Sequence, residues 1–526
     1  GTTNHLDALE QSEVILVTEV DLASAAPIVE YAVKRAAKSR GAKVLLVDPL
    51  QTGLSSFAHI WLRPKVGTDI ALINGMARVI INEGLMDEEF VTRKTDNFEA
   101  LSRELEKYTA EYVEQVTGVP GSEIRRAAQL FAGATIASIV YGAGITQYPN
   151  GTDSVMSLAN LAMLTGNIGI RGGIYALQRD CNGQGACDMG ALPDMLPGYQ
   201  SVEDPEEKKK FADRWSAELP AEAGPTAVEM IAQLKEGNIK GMYIVGENPV
   251  LSFPNSTLVE EALASLEFLV VQDMFLTETA KLANVILPAA SFAEKEGTFT
   301  NFEGRVQRVN KVIEPLGDSL PDSEIILRLA DSMGCHMPYS SLQDVMDEIR
   351  ELVPLYEGIG YGGTETREEH PNSLGRDPFR NRRLYKGPFP SGFGRFSPVQ
   401  FVPPQDIAKD GYNFTLLTGS VLYHSGTGSK TSRSSRLSDF YPEAYVEIHE
   451  ADADQMGIGK GDEVRVISPQ GQVAAVARLT DGLPRGVVFM PNSIPSTPVN
   501  QLFDITLDPQ AKTPALKACA VKLERT

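Results

Sequence analysis

Residues 14–49 read VILVTEVDLASAAPIVEYAVKRAAKSRGAKVLLVDP, and the reading of this stretch decides the fold. Val14–Asp21 is an apolar, β-branched run closed by acidic residues, which predicts a buried strand. From Ala23 to Arg40 the positions of Ile28, Tyr31, Ala32 and Arg35 lie near helical spacing, and Gly41 closes the helix. AKVLLVDP follows as a second buried strand ending at Asp48-Pro49. Strand, helix and strand in this order form a βαβ unit, so the sheet is expected to be parallel.

Outward from this unit the pattern repeats. Helical stretches are expected around Asp69–Asn82 and Ser122–Ala132, then the strand ASIVYGAG, then a helix over SVMSLANLAMLTG ending at Gly166. Later apolar runs GMYIVGENP, LEFLVVQDMF and NVILPAAS read as strands, with helices at Val228–Glu236 and Thr257–Ser265 between and before them. From Tyr412 onward FTLLTGSV, AYVEIH, DEVRVIS, QVAAVARLT, GVVFMP and ACAVKLE are short strands separated by turns such as Lys460-Gly461-Asp462, which predicts a small β-barrel. The expected fold is α/β, two doubly wound parallel-sheet lobes followed by a C-terminal β-barrel. Between lobes and barrel, from Gly358 to Asp406, Gly, Pro and Arg crowd into an irregular connection carrying Arg376, Arg380, Arg382, Arg383 and Lys386. That basic cluster either wraps the acidic body of the chain or docks a partner.

Composition narrows the classes. The chain has 526 residues, 42% hydrophobic and 22% charged, and a net charge of −21. A length of this kind suggests several domains, and the acidity argues against nonspecific contact with nucleic acid or an anionic membrane. No apolar run is long enough to span a bilayer. The four cysteines Cys181, Cys187, Cys335 and Cys519 include no C-x-x-C pair, so no compact zinc or iron–sulfur motif is visible, and reduced thiols in a cytoplasmic protein are expected.

In parallel α/β sheets ligands bind beyond the carboxyl ends of the strands. Here those ends carry Asp48, Gly142–Gln147, Gly246-Glu247-Asn248-Pro249 and Gln272-Asp273. Glycines admit close approach of a phosphate, and carboxylates suit ribose hydroxyls or guanine N–H groups, so a large nucleotide-bearing ligand is expected. The first βα turn, Thr18-Glu19-Val20-Asp21, lacks the G-x-G-x-x-G of dinucleotide folds and presents acidic groups that repel phosphate, which argues against ordinary NAD binding there. The densest segment is QRDCNGQGACDMGALPDMLPGY at 178–199, without clear period and rich in glycine, amides and acids, as loops that line a site often are.

At this segment the chain resembles the molybdopterin oxidoreductase (dimethyl sulfoxide reductase) superfamily, and within it the formate dehydrogenase large subunit, whose signature N-V-Q-G-A-C-D-M-G-A-L-P is similar to GQGACDMGALPDMLPGYQ. The likeness extends through VGTDIALINGMARVI, YVEQVTGVPGSEIRRAAQLFA, GENP, VVQDMFLTETAKLANVILPAASFAEKEGTFTN, EGRVQR, LTGSVLYH and GVVFMP. It implies a bis-molybdopterin guanine dinucleotide holding Mo or W, two α/β domains each taking one guanosine, and a double-psi barrel over the pterins. The implied division is 1–175 and 176–340 for the α/β domains, the second partial, 341–410 for the connection and 411–526 for the barrel. Carried over by motif, the cofactor-binding positions are Asp48, Gly67 and Asp69 for one nucleotide. For the other they are Gly144, Gln147, Gln184, Gly246, Glu247, Asn248, Gln272, Asp273 and Thr277. The barrel contributes Thr418, Gly419, His424, Asn492 and Lys517.

Departures from the family pattern matter as much. The family's iron–sulfur cysteines and its Cys or selenocysteine–His pair have no counterpart in this chain and are expected to precede Gly1, so neither a catalytic residue nor a metal ligand is assigned. Met156 stands where the family's N-G-T-D-x-V-R has an arginine able to hold formate by its fork. The first βα turn is Gly-Ser-Asn-like in the family, Asp48-Pro49-Leu50-Gln51 replaces D-P-R-R, and Ser420 replaces the arginine of L-T-G-R. The resemblance therefore implies the pterin-binding part of a formate-dehydrogenase-type oxidoreductase, inactive as this chain alone. It would work with iron–sulfur and flavin- or NAD-binding electron-transfer subunits and with no nucleic acid. A degenerate electron-relay subunit without molybdenum, resembling the large iron–sulfur subunit of respiratory complex I, is the alternative, since NFEGRVQR is similar to that branch too.

Overall fold

The computed structural model describes residues 1–526 apart from 170–171, 179, 358, 360–388, 390–391, 405–410 and 441–443. The chain folds into two compact units, one of residues 1–179, 251–256 and 383–526, the other of 180–250 and 257–382.

The first unit begins with a five-stranded sheet of β1 (Val14–Thr18), β2 (Lys43–Val47), β3 (Ala58–Leu62), β4 (Ala137–Tyr141) and β5 (Ile174–Ala176), in the order β3-β2-β1-β4-β5. All pairings are parallel, with Val14 opposite Lys43 on one side and Ala137 on the other. Every residue of β1 and of β4 is buried, which is why both read as unbroken apolar runs and not as alternating ones. The strand order reverses at β1, so the crevice beyond the carboxyl ends of β1 and β4 is a topological switch point.

Helices α1 (Pro27–Arg40), α2 (Asp69–Asn82), α3 (Gly121–Ala132) and α4 (Gly151–Leu164) cover the sheet. In α1 the buried face is Val29, Ala32, Val33 and Ala36, whereas Ile28 and Tyr31 are 66% and 56% exposed. The expected face was thus rotated. A separate short helix, Leu22–Ala25, precedes, Pro27 opens the longer one, and the spacing that packs is i, i+3, i+4, i+7 counted from Val29.

The connection after residue 391 is not wholly irregular. Gly394–Arg395 pairs in parallel with Thr95–Asp96, and Phe396, Val399 and Phe401 are buried in the core of α2, α3 and α4. Asn74 Nδ2 donates to the Val399 carbonyl at 2.9 Å, and the Phe401 N–H donates to the Tyr108 hydroxyl at 2.7 Å. Arg376, Arg380, Arg382, Arg383 and Lys386 lie outside the described residues.

The same unit ends in a closed six-stranded barrel of β6 (Phe414–Gly419), β7 (Tyr445–His449), β8 (Glu463–Ile467), β9 (Gln472–Thr480), β10 (Val487–Pro491) and β11 (Ala518–Arg525). The order is β6-β10-β7-β9-β8-β11, closed by antiparallel pairing of β11 with β6. Alternate residues such as Val464 and Val466, or Val473, Ala475 and Ala477, point into its core, as the period of a strand requires.

The second unit holds a three-stranded parallel sheet, Val285–Pro288 beside Phe268–Asp273 beside Gly241–Val245. It also holds a hairpin of Gly297–Thr300 with Val306–Val309 and a core around Phe211, Met346, Leu352, Val353 and Tyr356. Among the described residues no helix is long and apolar enough to cross a membrane.

Phe396 is fully buried and meets Phe98 edge to face at 5.9 Å. Phe396→Ala is expected to cost about 3–5 kcal/mol, because the cavity left among three helices cannot collapse. Chemical denaturation of the two proteins measures it.

Candidate functional site

The crevice at the switch point opens into a cavity of about 900 Å³ within the first unit. The sheet contributes the turn Glu19–Asp21 after β1, Asp48 after β2, and Gly142, Gly144 and Gln147 after β4. The barrel contributes Thr418, Gly419 and His424 after β6, Asn492 after β10 and Lys517 before β11. Asp48, Gly144, Gln147, Thr418, Gly419, His424, Asn492 and Lys517, all expected at a cofactor site, therefore meet at one cavity despite their distance along the chain.

Charge is concentrated at its floor. Asp48 is 5% exposed, and its Oδ1 accepts the Leu50 N–H at 2.8 Å. Burial, then the neighbouring Glu19 carboxylate, push the Asp48 carboxyl up to about 8, against the lowering effect of Lys517. Asp69, the first residue of α2, is also buried and well above the usual carboxylate range, through burial and then Glu19. Tyr148 is buried beside them, and burial followed by the field of Glu19, Asp69 and Asp48 raises its hydroxyl. Of the expected positions in this unit, Gly67 and Asp69 do not line the cavity, and Asp69 and Tyr148 lie buried behind its wall.

Glu19 is the residue the sequence did not single out as part of the site. It is 2% exposed and has φ of +48°, a left-handed backbone that L-residues adopt at a cost. Its Oε2 lies 3.5 Å from Lys517 Nζ. Gly144 makes room for it: a Cβ on Gly144 would overlap the Glu19 carbonyl oxygen and come within 2.8 Å of the Glu19 Cβ. The acidic turn thus lines the cavity with one carboxylate matched to a lysine. Nothing local in the sequence signals this, since the partner is at the other end of the chain.

The remaining expected positions lie in the second unit and are engaged internally. Gln272 is fully buried, is hydrogen-bonded to the Tyr243 hydroxyl and donates to Asp322 Oδ1 at 2.6 Å. Asn248 Oδ1 accepts from Thr279 Oγ1 at 2.7 Å, its Nδ2 donates to Glu278 at 2.9 Å, and its N–H is held by Glu247 Oε1. Asp273 Oδ1 accepts the Met274 N–H at 2.6 Å, and Thr277 Oγ1 accepts the Ala280 N–H at 3.2 Å. Gly246 has φ of +64° with open space around its missing Cβ. Gln184 donates to Asp188 at 2.7 Å in a buried cluster. Met156 packs against the apolar core beneath β4 and does not line the cavity.

Comparison with known proteins shows the family. The molybdopterin oxidoreductase family matches residues 1–332, and the molydopterin dinucleotide binding domain matches residues 414–520. This chain belongs to the molybdopterin oxidoreductase family. It is 42% identical to the F420-dependent formate dehydrogenase subunit alpha of Methanocaldococcus jannaschii, over 99% of this chain and 78% of that protein. It is 37% identical to formate dehydrogenase H of Escherichia coli, over 99% of this chain and 74% of that one. Acetylene hydratase from Pelobacter acetylenicus shares the fold, with a TM-score of 0.76 at 20% identity, covering 98% of this chain and 78% of that chain.

The family implies a pterin dinucleotide, and the cavity has donors of the right kind. The Gly142–Gly144 turn allows close backbone approach, the Asp48 carboxyl suits N–H groups of a base, and Lys517 and Asn492 supply donors for phosphate oxygens. His424 is 7% exposed with Nδ1 2.9 Å from Thr431 Oγ1, which fixes its ring at the rim. The exception to this fit is Glu19, which brings negative charge to the same lysine.

Two outcomes follow. Gly144→Ala is expected to destabilise the protein by about 1–3 kcal/mol, because the Glu19 backbone must shift to admit the methyl; a thermal melt reads it. Asp48 holds its proton longer when folded, so its contribution to stability is complete below pH 3.8 and lost as pH rises to about 8. Asp48→Asn should flatten the decline in stability across that interval, seen in urea titrations at successive pH values.

Proposed function

We propose that this chain is the pterin-dinucleotide-holding part of a formate-dehydrogenase-type large subunit. The observation that carries the reading is that one cavity at the switch point is lined, from the parallel sheet and from the barrel, by eight positions of the family's cofactor pattern. The names of the relatives, formate dehydrogenase alpha subunits, support the substrate class.

The cofactor, when bound, supplies the two-electron redox chemistry. The chain's own residues bind and orient it. The turn after β4 gives it a surface without side chains, Asp48 offers an acceptor or protonated donor to the base with Asp69 buried behind it, and Thr418, Asn492 and Lys517 fix the phosphate side. Gly246, Glu247, Asn248, Gln272, Asp273 and Thr277 form the corresponding loops for the second nucleotide, their side chains held in place by the hydrogen bonds described above. The metal is Mo or W. Electrons leave through iron–sulfur clusters carried outside these residues and on to iron–sulfur and flavin- or NAD-binding subunits. The four free cysteines agree with a reducing, cytoplasmic compartment.

Met156 offers no cation to a carboxylate substrate, so residues 1–526 alone are expected to show no dye-linked formate oxidation. The complex purified with its partner subunits is expected to release two guanine nucleotides per Mo or W atom on acid denaturation. A complex competent in electron transfer but free of both metal and guanine nucleotide would overturn the reading in favour of an electron-relay subunit.

A further inference from the structure

Glu19 and Lys517 form a pair whose geometry is incomplete. Among the described residues neither carboxylate oxygen of Glu19 has a hydrogen bond of normal length, although the side chain is almost fully enclosed; the Lys517 ammonium approaches only to 3.5 Å. Among the described residues its close opposite charge is Lys517 Nζ at 3.5 Å, and that ammonium also donates to the Thr418 carbonyl at 3.3 Å. A left-handed backbone and a desolvated carboxylate both oppose this arrangement, and the lysine is what offsets them. Around the pair, the other facing groups among the described residues are acidic or neutral. Asp48 comes from the end of β2, Asp69 from the start of α2, Tyr148 from the loop before α4, and Asp21 from the same turn. Three buried carboxylates thus face one ammonium, and both Glu19 and Lys517 line the cavity.

We propose that Glu19 is a built-in competitor for Lys517: an anionic group entering the cavity takes the ammonium from Glu19, and the released carboxylate takes up a proton from solvent. The inference rests on the nucleotide reading above and adds a residue that sets the strength and pH dependence of binding. No bond between heavy atoms forms or breaks; one ion pair is exchanged for another, and one proton moves from water to Glu19. Burial already pushes the Glu19 carboxyl up, and Lys517 is the group that pulls it back. With Lys517 turned to a phosphate, desolvation acts on Glu19 unopposed. The complex then carries more protons than the free protein, so affinity rises as pH falls.

Guanosine 5′-diphosphate is the probe, titrated calorimetrically into the full chain free of bound nucleotide at pH 6 and pH 8, in buffers of different ionisation enthalpy. The expected result is proton uptake on binding and affinity about tenfold higher at pH 6, the change that corresponds to one unit of linked pKa. Glu19→Gln should bind about tenfold more tightly than the parent at pH 8 and lose most of the uptake. Glu19→Gly, which suits the left-handed turn, should do the same and guards against a folding defect in the first variant. Binding in all three proteins with equal affinity and equal proton uptake overturns the role of Glu19 alone. Absence of binding in all three overturns the nucleotide reading and this inference with it.

Discussion

Asp508 accepts hydrogen bonds from the N–H and Oγ1 of Thr152 at 2.9 and 2.7 Å, and through them the barrel is tied to the first turn of α4. The tie bears on the cavity, because one of its walls belongs to the sheet and the other to the barrel. The same carboxylate also accepts the N–H groups of Gln510 and Ala511, which fixes the loop leading to Lys517. Burial alone would raise the Asp508 carboxyl, but these donors more than offset it and hold it below the usual range. A second tie, from the Lys517 N–H to the Gln147 carbonyl at 3.1 Å, joins the barrel directly to the turn after β4. Lys517 is thereby positioned by its backbone, and its side chain is left to answer the charge at the cavity floor.

What could be read in the sequence is what depends on local period and on preserved motif. Parallel strands covered on both faces must be apolar throughout, so β1, β2 and β4 were visible as runs, and the alternation in β8 and β9 exposed the barrel. Fine placement escaped wherever two local patterns competed. In α1, Ile28 and Tyr31 were attractive as core residues because they are large, yet Val29, Val33 and two alanines are buried instead. Small residues leave room for the helix to lie close to the sheet, and no propensity argument reveals that. Phe396 and its neighbours were hidden for a different reason: an apolar residue inside a Gly- and Pro-rich connection has no periodic context, so its docking against helices three hundred residues earlier cannot be inferred locally.

In the second unit the residues of the family signature are structural partners of one another. Asp188 is 2% exposed and accepts from Gln184 Nε2, from the Tyr199 hydroxyl at 3.0 Å and from the Tyr356 hydroxyl at 2.9 Å. Tyr356 in turn lies 2.8 Å from Thr300 Oγ1. A buried carboxylate satisfied by three donors fixes its loop, whereas removing any donor would leave charge unpaired at low dielectric. Burial, and then the charge of Asp188, raise the Tyr199 hydroxyl, and both also raise that of Tyr356, so each remains a donor at neutral pH. The sequence made Gln184 conspicuous through its motif, but a motif reports that a residue is needed, not whether a ligand or a neighbouring side chain needs it.

Carboxylates beside the cavity proposed for an anionic dinucleotide are at first sight self-defeating in a chain of net charge −21. The conflict eases once the carboxylates are seen as buried. Burial pushes the Asp48 carboxyl up to about 8 and also raises that of Asp69. A protonated carboxyl can donate as well as accept, which at Asp48 would suit a base edge without repelling phosphate. Glu19 differs from them in standing 3.5 Å from Lys517, whose ammonium pulls its carboxyl down against the larger raising effect of burial. The buried carboxylates are therefore not equivalent, and what separates them is which one stands within reach of the lysine.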